Sequence, residues 1–273
     1  MASTRFWMLG VAVFVVALRD MKADLVKVIQ VNEDQANLLQ HQALQISQLN
    51  KTIADMNYLL KPLSAANCVD WFKLDPRSGI RTVHISGEPI RVYCDQTTDN
   101  GGWIVFQRRQ DASVDFYRGW TDYGNGFGDL MGNFWMGLDK LHTLTTSQRF
   151  ELRVDLHRWD GIKGYATYSG FHIDDGAHNF TLHLDNFTEG NAGDSLSYHR
   201  GQQFTTKDRD HDKYRHNCAH SSYGAWWYNA CQLSNLNAEF QATSSTFNVK
   251  GLRWSTFGNF TSMTFTEMKI RPV

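Results

Sequence analysis

The sequence predicts two parts in order, an α-helical coiled coil and behind it a β-rich globular domain. Three observations carry this reading. From Leu25 to Leu63 apolar residues recur in alternating steps of three and four, with no proline before Pro62. Beyond residue 67, short apolar runs are separated by Gly-rich turns. The segment Asp208 to Cys231 then joins alternate carboxylates to a two-cysteine ring around paired tryptophans.

At the N-terminus, Arg5 precedes an apolar run from Phe6 to Leu18. That run is too short to span a bilayer comfortably and suits the core of a signal peptide. Residues 1–20 are therefore expected to be removed, with cleavage between 18 and 24; an uncleaved signal anchor is the alternative. Residues 24–63 form the expected stalk. Its seam runs Leu25, Val28, Asn32, Gln35, Leu39, Gln42, Ile46, Leu49, Ile53, Met56, Leu60, Leu63, and nine of these twelve are apolar. A single amphipathic helix lying on the globular domain is the competing reading, but a period of 3.5 residues with an uncovered polar face favours self-association. Ile alternating with Leu leans toward two strands, while Gln35 and Gln42 do not decide the number.

Residues 67–273 are long for one domain but within the range of β-rich folds. Asp99-Asn-Gly-Gly102 and Tyr123-Gly-Asn-Gly-Phe-Gly128 read as turns. Phe150 to Leu156 alternates apolar and polar residues, as a half-buried strand does. Phe134 to Leu144 is predicted as a short helix capped by Asn133. Trp103, Trp135 and Trp254 are assigned to the core.

Formal net charge is −1 and no basic run occurs, which argues against a nucleic-acid partner. After residue 20 no stretch is apolar enough for a membrane span. Four cysteines fit an oxidising compartment, and by number alone they permit three pairings. The sequons at Asn50, Asn179, Asn186 and Asn259 agree with secretion. No nucleophile elbow, zinc-protease motif or phosphate loop is present, and Asp174, Asp175 and Asp194 have no identifiable acid, base or nucleophile beside them. The chain does not read as an enzyme.

Asp208, Asp210 and Asp212 stand at alternate positions, followed by residues whose carbonyls a short loop can turn inward. A hard cation taking six to eight oxygens in forgiving geometry asks for this, so calcium is the expected ion. A solvated charged turn is the bland alternative. Zinc at His211, His216 and His220 is disfavoured, because no thiolate accompanies them and loop spacing does not fix their geometry.

At this segment the chain resembles the fibrinogen-related domain, shared by fibrinogen chains, ficolins, tachylectins, tenascins and angiopoietins. Cys68-Val-Asp-Trp71, Tyr93-Cys-Asp95, Gly101-Gly-Trp-Ile-Val-Phe-Gln-Arg-Arg109, Val114-Asp-Phe-Tyr-Arg-Gly-Trp120, Phe134-Trp-Met-Gly-Leu-Asp139, Gly251-Leu-Arg-Trp254 and Glu267-Met-Lys-Ile-Arg-Pro272 look like its landmarks, in order from about residue 67 to the C-terminus. The resemblance implies an α+β fold with a small disulfide subdomain, a central, mainly antiparallel sheet and a loop-rich calcium-binding subdomain. It selects the pairs Cys68–Cys94 and Cys218–Cys231, each closing a loop worth roughly 3 kcal/mol on the chain-entropy model. It implies calcium ligands at Asp210 and Asp212 through carboxylates and at Tyr214 and His216 through carbonyls, with Asp208 assisting through water. Related lectins tip the stalk toward a trimer.

In the acetyl-recognising lectins of the family, a tyrosine four residues after the third cysteine, a histidine after the fourth and residues of the C-terminal loops line the ligand pocket, and a cis peptide precedes the fourth cysteine. Here Ser222 occupies the tyrosine position with Tyr223 beside it, Gln232 replaces the histidine, and Asn248 and Phe260 stand where tyrosines are usual. The expected ligand surface is therefore Ser222, Tyr223, Gln232, Asn248 and Phe260, with an altered lining. The resemblance thus implies a secreted, oligomeric, calcium-dependent lectin binding carbohydrate or acylated surface ligands in innate immune defence. The alternative is a secreted receptor ligand or matrix protein of angiopoietin or tenascin type. A short stalk, no other module and the retained Asp-x-Asp loop favour the lectin.

Overall fold

The computed structural model describes residues 2–241, 250–258 and 261–273, with side chains in helix α1 described for 18–57, 59 and 60. Asn248, Phe260 and the sequon at Asn259 therefore lie outside the described residues. The chain divides into two compact units, residues 1–61 and 62–273.

Helix α1 runs unbroken from Ala2 to Ser64 and so includes both the expected leader and the stalk. Leu25, Val28, Leu39, Ile46, Leu49, Ile53, Met56 and Leu60 are all exposed on this single helix. The described positions flanking the seam are Asp24, Ile29, Val31, Ala36, Leu38, Ala43, Gln45, Asn50, Thr52, Asn57 and Leu59, all exposed, and after Asp24 none of them is charged. Among the described residues, no helix is long and apolar enough to cross a membrane.

In the second unit, α2 (Cys68–Leu74) starts where the Asn67 side chain accepts from the backbone N–H groups of Val69 and Asp70. The hairpin β1 (Gly79–Ile85) and β2 (Glu88–Asp95) follows, and Cys94 on β2 is bonded to Cys68. The next elements are β3 (Trp103–Arg109), α3 (Trp120–Asn125), β4 (Phe127–Gly128), β5 (Phe134–Trp135), α4 (Leu138–Ser147), β6 (Phe150–His157) and β7 (Lys163–Tyr168). The chain continues through β8 (His172–Ile173), β9 (Leu182–His183), β10 (Phe187–Glu189), α5 (Cys218–Ser222), β11 (Ser234–Asn235), β12 (Arg253–Trp254), α6 (Ser255–Gly258) and β13 (Phe265–Pro272). The main sheet has the antiparallel order β1-β2-β3-β13-β6-β7-β10. The last strand thus inserts at its centre, which is why the chain must be complete through residue 272 before β3 and β6 are bridged.

β6 alternates buried and half-buried residues along its whole length, as the sequence period requires. The helix predicted from Phe134 begins four residues later. Phe134 and Trp135 instead form β5, opposite Arg108 and Gln107 of β3, because strand pairing and burial of two large aromatics outweigh local helical preference. Gly137, at φ 109°, is the cap position, and the Asn133 carbonyl of its side chain accepts from the backbone of Gln110. Asn133 therefore holds a turn and caps no helix.

On one face of the sheet Lys269, 2% exposed in its side chain, meets Asp95, Glu267 and Asp155 at 2.6, 2.7 and 2.8 Å. Burial pulls the ammonium down, but the three carboxylates outweigh it and raise its pKa. On the other face Phe106 contacts Trp135 edge to face, Trp135 stacks on Phe204, and Phe204 meets Trp227. This aromatic chain carries the sheet core into the loop-rich region that holds the candidate site. Trp103, Trp135 and Trp254 are buried, as assigned.

Candidate functional site

The segment after Phe204 has almost no regular structure, and side chains hold it in place. Thr205 pairs with Trp226 in an isolated bridge, and Lys213 N–H donates to the Asn229 carbonyl at 2.9 Å. Cys218 and Cys231 form the second disulfide, with Cα atoms 5.6 Å apart. The 205–217 loop is thereby fastened along the ring that this disulfide closes. The Ala230–Cys231 peptide is cis, as the resemblance implied.

Within the loop, Asp212 accepts more backbone N–H groups than Asp210 does. Its Oδ1 accepts from Tyr214 N–H at 2.9 Å and its Oδ2 from Cys218 N–H at 2.7 Å. Its own N–H donates to Asp210 Oδ1 at 3.3 Å. Burial raises the Asp212 pKa, the two N–H donors lower it, and the neighbouring Asp210 charge pushes it up again; the net direction is upward. Neither carboxylate makes an ion pair among the described residues. The Tyr214 and His216 carbonyls accept no hydrogen bond among the described residues. A carboxylate pair unrelieved by a cation, beside two unused carbonyls, fits a hard divalent ion, since each carboxylate oxygen keeps a further lone pair.

His211 donates from Nδ1 to the Phe204 carbonyl at 2.8 Å, and His220 donates from Nε2 to the Lys207 carbonyl at 2.6 Å. These imidazoles brace backbone, and among the described residues no group of three or more His, Cys, Asp or Glu side chains is arranged to hold a metal. The calcium reading rests on carboxylates and carbonyls together.

Asp208 is tied to the protein through one of its carboxylate oxygens. Its Oδ1 accepts from Trp120 N–H at 2.9 Å and from Thr206 Oγ1 at 2.6 Å. A Cβ on Gly119 would stand 2.7 Å from its Oδ2. Asp208 thus clamps the Gly119–Trp120 backbone onto the loop, and Trp120 in turn meets His211 edge to face.

Of the expected ligand residues, Ser222 is buried at the end of α5, and its carbonyl accepts from Asn235 Nδ2. Tyr223, at φ 48°, terminates that helix and turns outward, 38% exposed. Gln232 is half-buried just beyond the ring. The Tyr223 ring stacks on Tyr117 with centroids 5.1 Å apart, and Lys250 Nζ lies 3.9 Å from its centroid. Sequence reasoning treated Tyr117 as part of a family landmark only; its separation from Tyr223 left no local signal of contact. His199 was also missed. It is buried, donates from Nδ1 to the Trp227 carbonyl at 2.7 Å, and accepts at Nε2 from Ser234 N–H at 3.1 Å and Leu233 N–H at 3.3 Å. One neutral imidazole therefore ties the interior of the ring at Trp227 to the chain just beyond Cys231, and burial lowers its pKa to about 4.

A cavity of about 590 Å³ opens on the main sheet between Tyr93, Arg108, Arg153, His157, Tyr165 and Lys269. Its floor is self-paired: Arg108 meets Glu267, Arg153 meets Asp155, and Lys269 meets three carboxylates. The surface of the Asp210–Asp212 loop, with carboxylates that form no ion pair among the described residues and an exposed aromatic, is the stronger candidate. Among the sequons, Asn50 and Asn186 are exposed, while Asn179 is half-buried and donates from Nδ2 to Gln203. Asp194 spends its Oδ1 on Tyr168 and on the N–H groups of Leu196 and Ser197, a structural role.

A family model described as fibrinogen beta and gamma chains, C-terminal globular domain, matches residues 65–273. Over 202 residues (72% of this chain) the sequence is 45% identical to tenascin-R of Mus musculus, and spans 14% of that protein's length. Human microfibril-associated glycoprotein 4 is 41% identical over 238 residues, covering 84% of this chain and 92% of the relative. The fibrinogen-like globe domain of human ANGPTL2 superposes with a TM-score of 0.73 at 39% identity, covering 76% of this chain and 99% of that one. A lamprey fibrin D-dimer, at 24% identity, has the same fold with a TM-score of 0.71, over 94% of this chain and 92% of its own.

Proposed function

The chain belongs to the family of fibrinogen-type C-terminal globular domains, and from that premise we propose that it is a calcium-dependent, oligomeric recognition protein of lectin type. The fold is mainly an antiparallel sheet, the family is non-enzymatic, and the protein is extracellular, in keeping with its two disulfides. The observation that carries the reading is the pairing of Asp210 and Asp212 with two unused carbonyls, set directly against the Cys218–Cys231 ring. Asp210, Asp212, Tyr214 and His216 would hold calcium, which neutralises the carboxylates and stiffens the loop. Tyr223 and Gln232, with the buried Ser222 and, by the resemblance, Asn248 and Phe260, would receive a carbohydrate or acylated ligand. Rings pack on apolar patches of a sugar while amides bond hydroxyls and carbonyls. Arrays on a helical stalk let weak single sites gain avidity against microbial or acetylated surfaces, the setting of innate defence.

A glycan array with full-length protein tests this. Binding is expected in calcium, release in EDTA, and Tyr223→Ala with Gln232→Ala should weaken binding while leaving calcium uptake unchanged. Identity to tenascin-R and to microfibril-associated glycoprotein 4 favours a second reading, a matrix or receptor ligand acting through protein surface. Absence of any calcium-dependent glycan signal would establish that reading instead.

Assembly rests on the stalk. Apolar flank residues beside the seam, Ile29, Val31, Ala36, Leu38, Ala43 and Leu59, widen the face that partner helices cover, which supports more than two strands, and a homotrimer is the proposed form. Ile46→Asp with Ile53→Asp should release monomers in sedimentation, because unpaired charges buried in such a seam cost several kcal/mol. An unchanged oligomer would put the interface elsewhere.

A further inference from the structure

Strand register gathers a set of charged and aromatic side chains on one face of the main sheet. Arg108 of β3 lies opposite Glu267 of β13, and Lys269 of β13 lies opposite Arg153 of β6. Asp155 of β6 lies opposite Tyr165 of β7, and His157 is flanked by Lys163 and Phe265. Because side chains alternate between faces, Arg153, Asp155 and His157 share one side of β6, as Lys163 and Tyr165 do on β7. With Tyr93 of β2 they line the cavity of about 590 Å³, a volume that fits a small molecule. The Arg108 guanidinium lies 4.2 Å from the Tyr93 ring centroid and that of Arg153 lies 4.0 Å from the Tyr165 centroid. The His157 and Phe265 rings stack at 4.6 Å.

Donors outnumber acceptors in this cavity. Both oxygens of each lining carboxylate are taken. Asp95 receives Thr97, Thr98 and Lys269, Asp155 receives Arg153 and Lys269, and Glu267 receives Lys269 and Arg108. The guanidinium groups are only partly used. Arg153 donates from Nε alone, and Arg108 from Nε and from Nη1, the latter to the Leu130 carbonyl. Among the described residues, the Arg153 Nη groups make no hydrogen bond, and the exposed Lys163 makes no ion pair. Arg108, Arg153, Lys163 and Lys269 face Asp95, Asp155 and Glu267, which leaves one positive charge in excess. His157 adds none at neutral pH, since burial and then the Lys163 ammonium lower its pKa. Each guanidinium is already held by a ring and a carboxylate, so a ligand meets its planar fork in place and little order is lost on binding.

We infer that this cavity is a second ligand site, which binds a molecule of monosaccharide size through an anionic oxygen group (sulfate, phosphate or carboxylate) received by Arg153, Arg108 and Lys163. The unused fork of Arg153 matches two oxygens of such a group, and the His157–Phe265 stack offers an apolar wall to the body that carries it. The site stands apart from the lectin reading. No residue assigned to calcium or to the Tyr223 surface lines it, so its occupancy does not require calcium.

The test is calorimetric titration of full-length protein in EDTA with glucose 6-sulfate, glucose 6-phosphate, glucuronic acid and, as the neutral probe, glucose. At least one anionic probe should bind roughly tenfold or more tighter than glucose, the range of a charge-assisted hydrogen bond. The three anionic arms distinguish sulfate, phosphate and carboxylate. Arg153→Gln leaves Asp155 paired with Lys269 and should bring the anionic probes down to the level of glucose. Lys163→Glu reverses an exposed charge without touching the buried network, and should weaken anionic binding about threefold or more. Tyr223→Ala with Gln232→Ala should change nothing in EDTA. Equal binding of all four probes, or binding of none, overturns this inference and leaves the lectin reading to its own calcium-dependent array. An anionic preference that survives both Arg153→Gln and Lys163→Glu places the anion elsewhere and overturns the assignment. So does a preference that appears only in calcium, or one that the Tyr223 and Gln232 substitutions remove.

Discussion

Thermal stabilisation by added calcium is expected of the unmodified protein, and Asp212→Asn is expected to abolish it, as is Asp210→Asn. Extracellular sites of this kind bind at about 10⁻⁴ to 10⁻³ M. An ion that binds only the folded state at a hundredfold excess over its dissociation constant stabilises by about 2.7 kcal/mol. For a domain of this size that is a rise in Tm on the order of 5–10 °C. Removing either carboxylate takes away half of the formal charge facing the ion. Asp212 carries the larger structural consequence, since its two oxygens also receive the N–H groups of Tyr214 and Cys218. Asparagine preserves its shape, so the apo variant should keep its fold, and differential scanning with and without calcium reads the difference. An undiminished calcium response in both variants would move the ion to another site.

Acid is expected to destabilise the ring region well above the range in which carboxylates titrate. His199 is buried and neutral, with its folded pKa lowered to about 4 from an ordinary value near 6.5. Between those values the unfolded chain binds a proton that the folded chain refuses, so stability is complete above about pH 6.5 and falls as pH drops toward 4. The full loss is on the order of 3 kcal/mol. His157, also lowered by burial, acts in the same direction. His178 acts oppositely, since its bond to Asp175 raises it, but it is exposed on the surface. Urea unfolding at pH 7, 5.5 and 4.5 should show the loss, and His199→Gln should flatten the profile between pH 6.5 and 4. A profile equally steep in that variant would assign the proton to another group.

The period of the stalk was legible because every third and fourth residue of a helix shares a face, whatever surrounds it. Strand β6 was legible for the same reason at period two. The disulfides, the cis peptide and the order of the recognition loop came through the resemblance, carried by cysteine spacing and paired tryptophans. Helix α4 was misplaced because Phe134 and Trp135 are claimed by β3, a partner distant in sequence, and strand pairing of buried aromatics outweighs local preference. Asp208 was expected to assist calcium only through water, beside the ligands that the resemblance implied. Its carboxylate is taken by the backbone of Trp120, eighty-eight residues away.

By itself the sequence determined the helical period of the seam and the alternate carboxylates, because each depends on residue type and spacing within one short segment. Only the tertiary structure decided what lies against that segment: the stack of Tyr117 on Tyr223, the lysines beside it, and the buried imidazole of His199 joining Trp227 within the ring to Ser234 beyond it. Those contacts join stretches of chain with no shared periodicity. They form because packing and hydrogen-bond satisfaction act on neighbours in space, which the linear order of residues does not specify.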